Sequence, residues 1–307
     1  MEKIYYMDFI VEFCKFYNKL HLEKGEQSPF IYHYTSSEAA QSIISRGRIR
    51  FTDRYYLNDA SEGRYVLDLC LENIDTLLSV SSFRNHLERK ITERKEKIQR
   101  DNFYVYQCSF STNPDSLCLW NYYSKNQSIK GYNFKFSTDN LNKTIKPTVK
   151  NENKKATVYF GKIIYDKTKQ IDIIKRLLQK FVDFLQTDTQ HEEFVAAYAV
   201  DKIIEQGTFF KMEFFSVEEE YRLAIIPYVD DNGQFLALEE ERLFMERNGI
   251  FIPYVDIEFA PDILQGITIS PTLDFQMTKQ SLEMILANKY PNMDSDAIVQ
   301  SVIPVRY

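Results

Sequence analysis

Four short clusters of this sequence carry side chains able to do chemistry. His33 and Thr35 set an imidazole and a hydroxyl two positions apart, where both can hold polar groups of a ligand. Asn58, Asp59 and Glu62 gather amide and carboxylate oxygens that could chelate a metal or hold a ribose. Capping a helix or a turn is the commoner use of such residues, and Asp59 or Ser61 suits it. Trp120 and Tyr123 or Ser124 fall on neighbouring helical positions and could floor a pocket for a flat ring, although a single Trp more often packs in a core. Glu218, Glu219 and Glu220 precede Arg222. In a strand, Glu218, Glu220 and Arg222 share one face, opposite Glu219 and Tyr221. A carboxylate beside Arg222 in a cleft is an electrostatic or hydrogen-bonding group; the plainer alternative is a partly exposed salt bridge of little energetic value.

These side chains need elements to hold them. Ile31, Tyr32 and Tyr34 suit a short strand, Ser36 or Ser37 caps a following helix, and Gly47 closes it before a second strand, Arg48 to Thr52. The unit therefore reads strand, helix, strand from Phe30 to Phe51. On its second strand Arg48 and Arg50 alternate with Ile49 and Phe51, so the two guanidiniums point one way, available to phosphates, while the apolar pair packs inward. Strands are also expected over 103–111, 131–136, 158–165, around Leu223–Ile226, and over 254–259, 263–269 and 298–304. Helices are expected over 6–22, 65–79, 83–100, 171–184, 193–204 and about 273–287. The mixed-sign run from Arg84 to Arg100 is a solvated helix rather than a nucleic-acid patch. A polar loop spans 143–155. Strands and helices interleave without the regular alternation or Gly-rich turns of a doubly wound sheet. The fold class is α+β, a mixed sheet with helices packed around it, divided as an N-terminal amphipathic helix and linker (1–29) and one domain (30–307).

Composition bounds the function. Hydrophobic content of 44% with 15% aromatic residues describes a folded chain, long enough at 307 residues for a large core. A net charge of −6 argues against a bulk nucleic-acid binder, which needs a basic surface. Cys14, Cys70, Cys108 and Cys118 show neither C-x-x-C spacing nor paired histidines, so reduced thiols in a cytoplasmic protein are expected, without a zinc site. No apolar run is long enough to span a bilayer, and no membrane association is expected.

Three stretches in order carry a family resemblance: Tyr32-His-Tyr-Thr with Leu57-Asn-Asp and Glu62; Cys108-Ser-Phe-Ser with Leu119-Trp-Asn-Tyr-Tyr and Gly131; and Phe215 with Glu218-Glu-Glu-Tyr-Arg-Leu. With the final Gln300-Ser-Val-Ile-Pro they resemble the bacterial family catalogued as domain of unknown function 2971. More distantly, His33-x-Thr35, a helix closed by Gly47, an aromatic middle segment and a late glutamate are similar in plan to ADP-ribosyltransferases of the DNA-modifying toxin type. That resemblance implies NAD as substrate, with His33 on a ribose hydroxyl, Tyr123 or Trp120 against nicotinamide, and Glu220 as the catalytic carboxylate. Glu218 and Glu219 compete for the last role. Tyr34, Thr35, Arg48, Arg50, Ser109, Glu218 and Arg222 complete the implied nucleotide-binding set, with a protein or nucleic acid as acceptor and a toxin or phage-defence setting. Two other classes stand beside it: metal-assisted hydrolysis of a nucleotide or nucleic acid through Asn58, Asp59, Glu62 and the glutamates, and a non-enzymatic sensor or scaffold.

Overall fold

The structure is a computed structural model that describes residues 13, 16–17, 28–59, 61–79, 82–97, 104–123, 129–145, 157–186, 191–227 and 241–305. Most of the helix expected over 6–22, and the 143–155 loop beyond residue 145, lie outside the described residues. Contacts divide the chain into two compact units, the first made of 1–26, 54–102 and 161–216, the second of 27–53, 103–160 and 217–307.

The first unit is helical: Tyr65–Glu72, Ile74–Leu77, Ser82–Lys97, Lys167–Leu185 and Glu192–Gly207. Its interior is mainly apolar, with a few buried polar residues, among them Gln170, which is fully buried. That amide donates to the carbonyls of Ile164 (2.6 Å) and Lys211 (2.9 Å) and accepts from the Tyr65 hydroxyl at 2.7 Å, so every polar atom it hides is matched. Phe13 and Tyr17 are helical and buried, with the Phe13 ring 4.7 Å from that of Phe181. Phe13 and Tyr17 therefore belong to the core of this unit. Asp59 caps its own turn, its Oδ1 accepting from Ser61 N (2.8 Å) and Ser61 Oγ (2.6 Å).

The second unit carries the strands. β1 (Phe30–Ser36) leads through the helix Ser37–Arg46 to β2 (Arg48–Asp53), as the sequence predicts. Ser36 Oγ accepts from Ala39 N at the start of that helix, and Gly47 ends it in the left-handed region at φ 64°, its N–H bonded to Ile43 O at 2.8 Å. β3 (Tyr106–Ser111), β4 (Gly131–Ser137), β5 (Thr157–Lys162), β6 (Glu220–Ile226), β7 (Leu243–Arg247), β8 (Ile250–Glu258), β9 (Leu264–Ile269) and β10 (Ile298–Gln300) follow. The result is an α+β fold around an open mixed sheet of ten strands in the order β10-β9-β4-β1-β3-β2-β8-β7, with β6 added against β3 and β5 against β6. Only the β9–β10 pairing is parallel among those described within the sheet. β7 is absent from the sequence-based reading; it forms a hairpin with β8 across Asn248 (φ 54°) and Gly249 (φ 79°), two left-handed residues that match the right-handed twist of the strands.

Register sorts the two faces around β1, β3 and β6. His33 lies opposite Phe134 and Ile31 opposite Phe136, while Cys108 faces Leu223 and Phe110 faces Tyr221. Apart from His33, all of these belong to one buried apolar cluster. The other face carries Tyr32 opposite Ser111, Ser109 opposite Arg222, and Ser111 opposite Glu220. Ile49 and Phe51 of β2 are buried as expected, at 1% and 0% exposure.

Gly47→Ala is expected to lower stability by about 1–2 kcal/mol, because a side chain at positive φ meets its own following carbonyl. Urea unfolding measures this, and an Ala variant as stable as the parent would contradict the capping role assigned to Gly47.

Candidate functional site

The face opposite the apolar cluster holds a buried ion pair. Glu220 and Arg222, at 2% and 1% exposure, are two residues apart on β6 and so stand side by side on one face. Arg222 Nε donates to Glu220 Oε1 at 2.8 Å and Nη2 to Oε2 at 3.1 Å, a fork that engages both carboxylate oxygens. Ser109 Oγ, across the ladder on β3, donates to Glu220 Oε1 at 2.6 Å. The partly exposed salt bridge considered from sequence is therefore corrected: the pair is buried and its removal one side at a time leaves an uncompensated charge.

Glu218 comes to the same place by another route. The strand begins only at Glu220, and Glu213–Glu218 is a 3₁₀ helix, so strand alternation does not govern Glu218. Between them Glu219 adopts φ 45°, a left-handed conformation costly for a side-chain-bearing residue. Three bonds hold that turn: Glu219 O accepts from Thr112 N (2.9 Å) and from Thr112 Oγ1 (3.3 Å), and Glu219 Oε1 accepts from Asn113 Nδ2 at 2.8 Å. Ser111 Oγ donates to Glu218 O at 2.7 Å. The outcome is that Glu218 and Glu220 both line one cavity, with Tyr32, Tyr34, Ser109, Phe110, Ser111, Leu119 and Tyr123. The volume enclosed by these walls is about 10 Å³, room for about one water; the figure rises to about 240 Å³ only when the open mouth is counted.

Aromatic rings make the rest of the wall. Tyr34 is fixed at both ends of its hydroxyl, which donates to Asn113 O and accepts from Ser116 N, each at 2.9 Å. Its ring meets Trp120 edge-on at 4.9 Å. Trp120 itself is 1% exposed and its Nε1 donates to Asp115 Oδ1 at 2.7 Å, so it is packing behind the wall and not a surface for a ligand ring. Tyr123, from the same helix Leu117–Tyr123, does face the cavity and keeps 37% of its surface exposed. Desolvation of its hydroxyl end, then the charges of Glu218 and Glu220, push its pKa up, so it stays a neutral phenol.

His33 stands on the other face. Its Nδ1 is 3.0 Å from Ser109 O, its ring lies 5.4 Å from Phe110, and Cys108 Sγ is 3.9 Å away. A carbonyl only accepts, so Nδ1 carries the ring proton. His33 thus holds the backbone of the residue whose hydroxyl holds Glu220, without lining the cavity itself. Thr35 shares its parity on β1 and is buried at 8% exposure. Arg48 and Arg50 do point the same way, yet into partners on β8. Arg48 pairs with Glu258 at 3.8 Å, and Arg50 Nε donates to Asp256 Oδ1 at 3.2 Å under the Tyr254 ring. Neither lines the cavity.

Among the described residues, no group of three or more His, Cys, Asp or Glu side chains is placed to hold a metal. Two residues that matter here escaped the sequence reading. Tyr32 lines the cavity, and the period of two along Tyr32-His-Tyr could have shown that it shares Tyr34's face and not His33's. Asp115 accepts from Trp120, from Ser301 Oγ (2.7 Å) and from Val302 N (2.9 Å), tying the Gln300-Ser-Val-Ile-Pro motif to the pocket wall.

Burial holds the His33 pKa below its ordinary value, and the bond to Ser109 O offsets this only in part. The unfolded chain takes up the proton near pH 6.5 and the folded chain only at lower pH. Stability is therefore full above about pH 6.5 and falls as pH drops through the folded value, with a limiting slope for one proton of about 1.4 kcal/mol per pH unit. In urea unfolding from pH 7 to 5, His33→Gln is expected to flatten this fall relative to the parent chain. Equal slopes would contradict a neutral His33.

With this geometry in place, comparison with known proteins adds one finding. A family model described as protein of unknown function (DUF2971) matches residues 119–223. No curated protein and no solved structure matches the chain. The matched stretch is about a third of the sequence; it includes Tyr123, Glu218, Glu220 and Arg222 and leaves His33 and Ser109 outside. It supports the resemblance to the DUF2971 family, whose description names no activity.

Proposed function

We propose that this chain is an NAD-using enzyme, an ADP-ribosyltransferase or NAD glycohydrolase in type, whose cavity takes the nicotinamide-ribose end of the dinucleotide. One observation carries the reading: two carboxylates, Glu218 and Glu220, line a single aromatic-walled cavity, and one of them is held rigid at both oxygens. With room between its walls for about one water, the cavity admits the nicotinamide-ribose end only once Tyr123 and its neighbours move apart. Tyr123, Tyr34 and Tyr32 offer ring faces and edges for a flat nicotinamide.

In the proposed reaction the bond between ribose C1′ and the nicotinamide nitrogen breaks, and its electron pair leaves with neutral nicotinamide. The ribose becomes an oxocarbenium-like cation, captured by an acceptor nucleophile or by water, which gives up its proton. A fixed carboxylate facing C1′ lowers the energy of that cation without reorganising. Glu218, the less buried of the two, is the group proposed to meet the cation or a ribose hydroxyl, with Glu220 beside it. Arg222 and Ser109 orient Glu220, and His33 positions Ser109, so His33 and Arg222 become positioning residues. Tyr123 takes the stacking role that Trp120, being core, leaves open.

A non-enzymatic ligand sensor is the second reading, and one observation favours it: Glu220 is nearly fully buried and already engaged by Arg222 and Ser109. NAD consumption separates the two. Glu218→Gln is expected to reduce turnover on the order of 100- to 1,000-fold with an almost unchanged melting temperature. Glu220→Gln is expected to cost about 3–5 kcal/mol of stability, because it strands the buried Arg222 charge. Wild-type protein that binds NAD without consuming it, with or without added protein or nucleic-acid acceptors, would favour the sensor. Activity that survives Glu218→Gln intact would move the chemistry away from this cavity.

A further inference from the structure

The strand β7, five residues long, stands at one end of the strand order. Among the described residues it pairs with β8 alone, at the end of the sheet. Natural edge strands are commonly short, bulged or guarded by inward charges. This one continues from Glu241 and Arg242 through Leu243, Phe244 and Met245 to Glu246 and Arg247, with Phe244 at 59% exposure. Beside it on β8, Phe251 is 70% and Ile250 55% exposed.

We propose that β7 pairs antiparallel with β7 of a second copy of this chain, in the register that sets Phe244 against its own symmetry mate. Two independent features select this occupant and this register. The first is backbone phase. Across the two-residue turn at Asn248-Gly249, Arg247 and Ile250 form the hydrogen-bonded pair, so the N–H and C=O groups of Phe244 and Glu246 point outward, away from β8. A two-fold axis at Phe244 brings those outward groups, with Arg242's, face to face as hydrogen-bonded pairs.

The second feature is charge. In that register Glu241 lies opposite the partner's Arg247, and Arg242 opposite the partner's Glu246, while Leu243 meets the partner's Met245. Every charged position of the segment faces its opposite sign, which cross-strand pairing favours. Moving the axis by one residue to Met245 sets Arg247 against the partner's Leu243 and Glu246 against the partner's Phe244, and the complementarity disappears. The interface is isologous, as closed dimers require, and it would gather Phe244 and Phe251 of both copies over the axis. Arg242 meets this with its fork shared, since its Nε also donates to Tyr106 Oη at 2.8 Å.

Light scattering and sedimentation of the full chain between roughly 1 and 100 μM test the proposal by mass action. A dimer is expected, converted to monomer by Phe244→Asp with the melting temperature retained. Glu241→Lys should weaken the dimer by about 3- to 30-fold, and adding Arg247→Glu to it should restore the parent affinity. That rescue keeps the test decisive even where Phe244→Asp lowers stability. A monomer at every concentration, including one in which another segment of the chain covers the edge, would overturn the proposal. So would a dimer indifferent to Phe244→Asp, or a charge swap that restores nothing.

Discussion

The Glu220–Arg222 ion pair is the constraint on which the arrangement of this sheet depends. Two charges withdrawn from water are tolerable only when each is matched, and here the fork of Arg222 and the hydroxyl of Ser109 match the carboxylate at both oxygens. A one-residue slip of β6 would turn Glu220 and Arg222 into the apolar cluster and expel Tyr221 and Leu223 from it. The pair therefore fixes the β3–β6 register, and with it the place where Glu220 meets the cavity.

The same ladder explains why the polar and apolar chemistry separate so cleanly. Ser109 touches both faces: its hydroxyl donates to Glu220 and its carbonyl accepts a hydrogen bond from His33 Nδ1, beside Phe110 and Cys108. Burial raises the Cys108 thiol pKa and lowers that of His33, so this adjacent pair is neutral and not a nucleophile with its base. On the other side, the left-handed turn at Glu219 delivers a second carboxylate that regular strand geometry does not supply. Strain of this kind persists where surrounding bonds over-determine it, as those from Thr112 and Asn113 do, and it gathers at functional sites.

Local signals were legible where one residue type decides one conformation. Ser36 and Gly47 mark the first helix, and the alternation of Ile49 and Phe51 with Arg48 and Arg50 marks the faces of β2. What the arginines touch was not legible, because Asp256 and Glu258 reach them only through the non-local β2–β8 pairing. Trp120 and Tyr123 are three positions apart on one helix; a single turn of packing decides that one is core and the other wall. The Glu218 position was expected from strand parity and is reached through a 3₁₀ turn instead, so the residue is at the cavity for a different reason. The β7–β8 hairpin is the opposite case: Asn248-Gly249 is a strong hairpin signal within the sequence itself, although the expected strand starts only at Tyr254.

The proposed function places the nicotinamide-ribose end of NAD in the cavity of Tyr123, Glu218 and Glu220. A crystal structure of the chain with a non-hydrolysable carbocyclic NAD analogue checks that placement. The expected result is the nicotinamide ring against the Tyr123 side of the cavity and the adjoining ring hydroxyls within hydrogen-bond distance of Glu218 or Glu220. An analogue bound elsewhere on the chain, or with its adenine end in this cavity, would contradict it.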